Sequence, residues 1–306
     1  MKKLLTLFGL ALLSMSASAQ AFDPHIGIGV GVGTTGIDID ASVTINDYIG
    51  IRGGVDIMPK IKIDADVDLK TDGANKKVSD LKKYVDDINQ FLPAGQKISN
   101  KFNQLPEKMK LEGKLNNTTG HILIDIHPFK TSFRLTVGAY FGPDEIIGAY
   151  NKEDGFFEPV NEWNNAIIYA QSQTPSNSTI PQNARDIVDK YNLEMVGAKL
   201  GDYFITPDAN DPSNNAQANI KVNGFRPYLG LGFGRAVPKK RIGCQFDLGV
   251  QFWGKPEVIA PTYDNGTFKV ESLKAGNSGD GDDALKTISK ISVYPVLNFR
   301  LVGRIF

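Results

Sequence analysis

Ten charged residues recur at alternate positions of strand-like runs: Asp38, Asp40, Arg52, Asp56, Asp125, Arg134, Arg226, Asp247, Arg300 and Arg304. Two kinds of chemistry use such residues. Paired carboxylates can act as general acid and base, whereas Asp beside Arg forms two-point ion pairs that satisfy buried donors. Lys and Glu are absent from the polar side of every run, which favours a tight Arg–Asp lattice over a solvated face. The three histidines fit the same reading. His25 begins the first run, while His121 and His127 share the polar side of the fourth and read as members of an internal hydrogen-bond network.

The elements that carry these residues are eight stretches of period-two alternation. They are "HIGIGVGVG" from His25, "GIDIDASVTI" from Gly36, "YIGIRGGVDIM" from Tyr48, "GHILIDIHPF" from Gly120, "FRLTVGAYFG" from Phe133, "FRPYLGLGFGR" from Phe225, "IGCQFDLGVQFWG" from Ile242 and "SVYPVLNFRLVGRIF" from Ser292. The fourth is expected to extend back through "MKLEGKL", from Met109 to Leu115. Asn46-Asp47, the stretch from Pro128 to Ser132 and the Pro238 to Arg241 segment are short turns; the Gly33 to Gly36 link is a tight hairpin. In an up-and-down order with the termini on one side, those three short turns share that side. The large inserts, residues 59–108, 143–222 and 254–290, fall on the other.

The inserts have structure of their own. "VSDLKKYVDDINQFL" places Val78, Leu81, Val85, Ile88 and Leu92 at helical spacing, and "EPVNEWNNAIIYAQS" and "PQNARDIVDKYNLEMVGAKL" are two further predicted helices. Trp163 belongs to a small core among them. "GNSGDGDD" resembles a calcium loop in composition only and lacks the spacing of an EF-hand. "GIGVGVG" is no dinucleotide fingerprint, because its glycines alternate and no helix follows.

Residues 1–20, "MKKLLTLFGLALLSMSASAQ", combine two lysines, an apolar run and Ala17-Ser18-Ala19, the pattern of a cleaved secretory signal peptide. Without Lys2 and Lys3 the chain carries 32 basic against 34 acidic side chains, which argues against nucleic-acid binding. The single cysteine, Cys244, excludes an intramolecular disulfide. Residues 21–306 are expected to form one all-β unit in which, beyond the signal, no apolar run is long enough for a membrane helix.

Which face is the core follows from the two faces. One is almost purely Ile, Val, Leu, Phe, Ala and Gly; the other mixes glycine with Arg and Asp. A narrow eight-stranded barrel in lipid needs an apolar outside and a filled polar inside, with glycines making room for large inward side chains. On these residues the chain resembles the eight-stranded outer-membrane barrels of the OmpA/OmpX type in Gram-negative bacteria, from Phe22 to Phe306, with larger loops. The resemblance implies an antiparallel up-and-down transmembrane barrel, outer-membrane lipid around it, and long extracellular loops that contain helices. It also implies a last strand whose Phe299, Leu301, Ile305 and Phe306 form the address read by the barrel-assembly machinery, although Phe306 is out of phase with the other three.

Some such barrels modify lipid A with a histidine, but histidines on the inward face are wrongly placed for lipid chemistry, so no enzyme, cofactor or metal is expected. The expected role is structural or surface-interacting, with an extracellular or envelope protein engaged through the loops. The alternative is a channel for small or hydrophobic solutes. Trp253, Tyr140 and Phe141 fall near the insert ends of their strands, as belt residues or as packing beneath the loops.

Overall fold

The computed structural model describes residues 25–305 except 61, 69–70, 152, 154, 173–181, 183–185, 187–189, 201–202, 208–216, 265–266 and 277–281, and excepting side chains at 63, 65–68, 111, 198–200, 282 and 284. The signal-peptide segment, the terminal Phe306, and most of the "PQNARDIVDK" helix and of the acidic loop before Asp282 lie outside the described residues.

In chain order the strands are β1 (His25–Gly33), β2 (Gly36–Thr44), β3 (Ile49–Ile57), β4 (Lys62–Asp68), β5 (Lys108–Leu115), β6 (Thr119–Ile126), β7 (Phe133–Phe141) and β8 (Glu145–Asn151). There follow β9 (Ala198–Leu200), β10 (Tyr203–Ile205), β11 (Gln217–Lys221), β12 (Phe225–Phe233), β13 (Ile242–Phe252), β14 (Glu257–Asp264), β15 (Thr267–Leu273) and β16 (Val293–Arg304). The eight alternating stretches become β1, β2, β3, β6, β7, β12, β13 and β16, which close an antiparallel barrel in sequence order. Closure is made by β1 on β16, with Gly31 opposite Arg300 and Gly29 opposite Val302.

The barrel is inside out. Val30, Ile39, Ile124, Leu231, Leu248 and Leu301 face outward and are exposed, Leu301 by 57%, whereas Arg52 and Arg300 on the opposite face are 1% exposed. Buried charge with an exposed apolar belt reverses the soluble arrangement and is the organisation of an outer-membrane barrel. No helix among the described residues is long and apolar enough to cross a membrane.

The inserts build more than loops. β4, β5, β8, β11 and β14 pair in that order, and this repeats the order β3, β6, β7, β12, β13 of the barrel strands they adjoin. Breaks of only a few residues separate the two tiers, and backbone hydrogen bonds cross them: Asn116 to Ile146, Gly142 to Gly224, Val222 to Asp144 and Asn223 to Trp253. Five barrel strands therefore continue upward as a second wall, while β1 and β2 stop at a tight hairpin. β14 also pairs β15 and β10, and β10 carries β9. The stretch from Met109 to Leu115 does not extend the fourth barrel strand, as its pattern suggested; it is β5 of the wall, held by β4 and β8. The first insert accordingly spans 58–118 rather than 59–108.

Helix α1 (Val78–Asn89) forms where the apolar spacing predicts, burying Val78, Leu81, Tyr84, Val85 and Ile88 on one face. It packs with α2 (Glu158–Ser172) around Trp163, whose ring meets Phe102 edge-on at 5.8 Å and whose Nε1 donates to the Glu194 carbonyl. Met109 of β5 joins this core, so the helices sit against the wall. Asn89 closes a two-point hydrogen bond with Ile98, and Asn164 another with Val196, tying the irregular chain to each helix. Helix α3 (Asp282–Lys290) rests on the wall through Leu285 against Ala260 and Leu273. On the wall, hydrogen bonds from Lys62 and Lys114 hold the Glu112 carboxyl below the usual range.

Candidate functional site

Period-two geometry sends every second residue of each barrel strand inward, so the Asp and Arg positions converge on one axis. Six strands supply charge: β2 gives Asp38 and Asp40, β3 gives Arg52 and Asp56, β6 gives His121 and Asp125, β7 gives Arg134, β13 gives Asp247 and β16 gives Arg300. The other two, β1 and β12, line this lattice with glycine, the charged residue of β12, Arg226, lying apart from it at the insert end. A Cβ on Gly31 would overlap Arg300 Cγ, one on Gly29 would lie 2.5 Å from Asp40 Oδ1, and one on Gly232 would lie 3.1 Å from both Arg134 Nη2 and Asp247 Oδ1.

Asp247 is the hub. It accepts from Arg52 at 3.0 and 3.2 Å, from Arg134 at 2.6 Å, and from Arg300. Asp125 accepts from Thr136 at 2.7 Å and lies 3.0 Å from Arg52 Nε and 3.4 Å from Arg134 Nε, in ion-pair range but without hydrogen-bond alignment. Asp40 accepts from Arg300 Nη1 at 2.5 Å, and Asp38 accepts from Asn298 at 2.7 Å with Arg300 at 3.3 Å. Asp56 accepts from Thr35 at 2.6 Å and meets His121 Nδ1 at 2.7 Å. These contacts cross the lumen from β2 and β3 to β13 and β16.

Layers above and below complete the plug. Toward the insert side, Leu123, Tyr140, Tyr228 and Val296 form an inward cluster, with the Tyr140 and Tyr228 rings 5.4 Å apart. On the turn side, Ala236, Val237 and Pro238 fold into the mouth, where the Ala236 carbonyl accepts from Ser42 and the Ala236 N–H and Arg134 both donate to the Gln245 amide oxygen. His127 is buried in the adjoining turn, and that burial, with Arg235 nearby, lowers its pKa below the ordinary imidazole value.

Two of the ten charged positions depart from this lattice. Among the described residues Arg226 pairs with no carboxylate. Its guanidinium donates to the Asn223 carbonyl at 2.8 Å, Asn117 Oδ1 at 2.6 Å and the Pro143 carbonyl at 2.5 Å, and lies 5.7 Å over the Trp253 ring. Those four partners sit in four of the five breaks, those between β5 and β6, β7 and β8, β11 and β12, and β13 and β14, so Arg226 fastens the barrel to the wall. Arg304 lies half-exposed at the turn end of β16, outside the buried lattice.

The aromatic trio divides. Phe141 faces outward beside Phe225, whereas Tyr140 and Trp253 are buried, Trp253 stacked on Tyr294 at 4.5 Å. Phe299, Leu301 and Ile305 all face outward. Thr35, Asn117 and the Ala236 to Pro238 plug were not singled out from sequence, because each lies in a turn or break where period two gives no orientation.

No protein-family model and no curated protein matches the chain. Among solved structures, CarO2 of Acinetobacter baumannii superposes over 92% of this chain and 98% of its own at 15% identity and a TM-score of 0.40. CarO of the same organism covers 91% and 96% at 14% identity and a TM-score of 0.39. A major outer membrane protein from Thermus thermophilus covers 92% and 98% at 14% identity and a TM-score of 0.34. Likeness at this level speaks to neither ligand nor activity.

Proposed function

We propose that this chain is an integral outer-membrane protein whose barrel is a plugged anchor and whose working surface is the folded tier raised on the inserts, outside the cell. The observation that carries the reading is the hub at Asp247. Three guanidiniums converge on one carboxylate in mid-lumen, and the side chains of all four residues are at most 1% exposed. A lumen spanned by such a lattice leaves little freedom for solute passage, and breaking it for each passing solute would expose buried charge at high cost.

The location of mass supports the second half. The wall and the α1–α2 core are built from inserts on the side opposite the short turns, as surface-interaction elements of a membrane barrel would be. His121 and Asp56 form the one histidine–carboxylate ion pair among the described residues, yet both are turned away from lipid and buried, so a non-catalytic role fits better than lipid modification. The outward row of Phe299, Leu301 and Ile305 on the closing strand suits recognition by the barrel-assembly machinery.

Planar-bilayer recording on purified protein tests the plug. The expected result is no steady single-channel current. Reproducible steps that vanish when the protein is boiled would overturn the plugged reading in favour of a solute channel.

A further inference from the structure

At the insert-side end of the lattice, Asp38 of β2, Asp56 of β3 and His121 of β6 meet inside the barrel. Asp38 stands opposite Asp56 in register, and His121 stands opposite Gly54, two residues before Asp56. One ligand atom from each lies within 4.8 Å of those of the other two, and all three residues are at most 3% exposed. Two polar atoms of this trio have no hydrogen-bond partner, Asp38 Oδ1 and His121 Nε2. These two atoms, a carboxylate oxygen and an imidazole nitrogen, are therefore free to take a shared ligand.

The charge points to the kind of ligand. Five carboxylates, Asp38, Asp40, Asp56, Asp125 and Asp247, face three guanidiniums, Arg52, Arg134 and Arg300, so the lattice carries two negative charges in excess when His121 is neutral. The three arginines crowd Asp40, Asp125 and Asp247, leaving the excess at Asp38 and Asp56, where Arg300 reaches only Asp38 Oδ2, at 3.3 Å. Asn298, Thr35 and Tyr140 also face the trio and are uncharged, while Arg52, committed to Asp125 and Asp247, and Asp40 act on Asp38 from beyond contact, and Arg52 acts so on His121 too.

We propose that Asp38, Asp56 and His121 hold one divalent metal ion of the zinc class. An imidazole with two carboxylates suits such borderline dications, and a charge of two cancels the local excess. Thr35, on the hairpin at the low side of the wall, covers Asp56 and serves as an outer hydrogen-bond partner that orients the carboxylate. The imidazole coordinates in its neutral form, and any proton it shares with Asp56 is released on binding. Because the cluster is closed within the barrel, the ion enters as the strands assemble.

Tag-free protein, refolded in detergent with and without Zn²⁺ and then desalted, tests this. Elemental analysis is expected to find about one zinc per chain, and Co²⁺ in its place is expected to give the visible absorption of a low-coordinate site, bleached by Zn²⁺. Asp38→Asn, checked for folding by its heat-dependent gel migration, is expected to lose the metal and the Co²⁺ spectrum. Wild-type protein that retains no metal and gives no Co²⁺ spectrum would overturn the site and leave protons as what balances the lattice. Metal retained equally by folded Asp38→Asn would place it elsewhere and overturn it too. If Asp38→Asn does not fold, the wild-type stoichiometry and spectrum decide alone.

Discussion

Asp247 shows how one residue can govern a membrane barrel's interior. It accepts from Arg52, Arg134 and Arg300, so removing its charge takes from each buried guanidinium its shared partner and leaves them on the carboxylates of Asp125, Asp40 and Asp38 alone. Removing one partner of a buried ion pair costs about 3–5 kcal/mol. Asp247→Asn, nearly isosteric, is therefore expected to lose that much in reversible urea unfolding followed on detergent gels. Arg304→Gln, at the half-exposed end of β16, should stay within about 0.5 kcal/mol of the native chain. At this scale the sequence was informative for a physical reason. Arg and Asp at alternate positions, with glycines between, leave little choice but inward pairing, and Gly31 beneath Arg300 is the plainest case. Which carboxylate meets which guanidinium was not legible, because each pair joins strands far apart in the chain, as Arg52 does with Asp247.

Among the elements, the junction between barrel and wall carries the sharpest consequence. Arg226 contacts four of the five breaks, through Asn117, Pro143, Asn223 and Trp253. Arg226→Met is expected to preserve the barrel's heat-dependent migration while loosening the wall. A charge-assisted hydrogen bond is worth about 1.5–3 kcal/mol, so local opening should rise roughly tenfold or more, read as faster proteolysis within 142–224 at unchanged barrel stability. Helices α1 and α2 were legible because a 3.6-residue apolar period is a local signal. The wall was not. Its strands are short, such as "EIIGAYN" in β8 and "QANIK" in β11, and lack clean alternation, so nothing local separates them from loop. "MKLEGKL" misled for the same reason: it looked like an extension of β6 until its partners β4 and β8 were known.

For the whole molecule, the reversal of inside and outside is the governing fact, and lipid tests it directly. Leu248 sits mid-strand on the outer face between Leu231 and Leu297 of the neighbouring strands, while Ile242 lies at the turn end. Leu248→Arg should cost about 2–4 kcal/mol when folded into bilayers, and Ile242→Arg about 0–1 kcal/mol, a depth dependence that a soluble barrel would not show. Refolding into lipid vesicles with urea titration checks both. The sequence by itself determined the barrel: eight alternating runs, their order, the parity of short turns and long inserts, and the sign of each face all follow from a period of two residues, which is local. Only the tertiary structure decided what stands on the barrel and what closes it. A second wall that copies the order of five strands, the Arg226 fastening, the Ala236 plug and the meeting of Asp38, Asp56 and His121 all depend on contacts between segments far apart in sequence, and no local pattern encodes which distant segment a strand will meet.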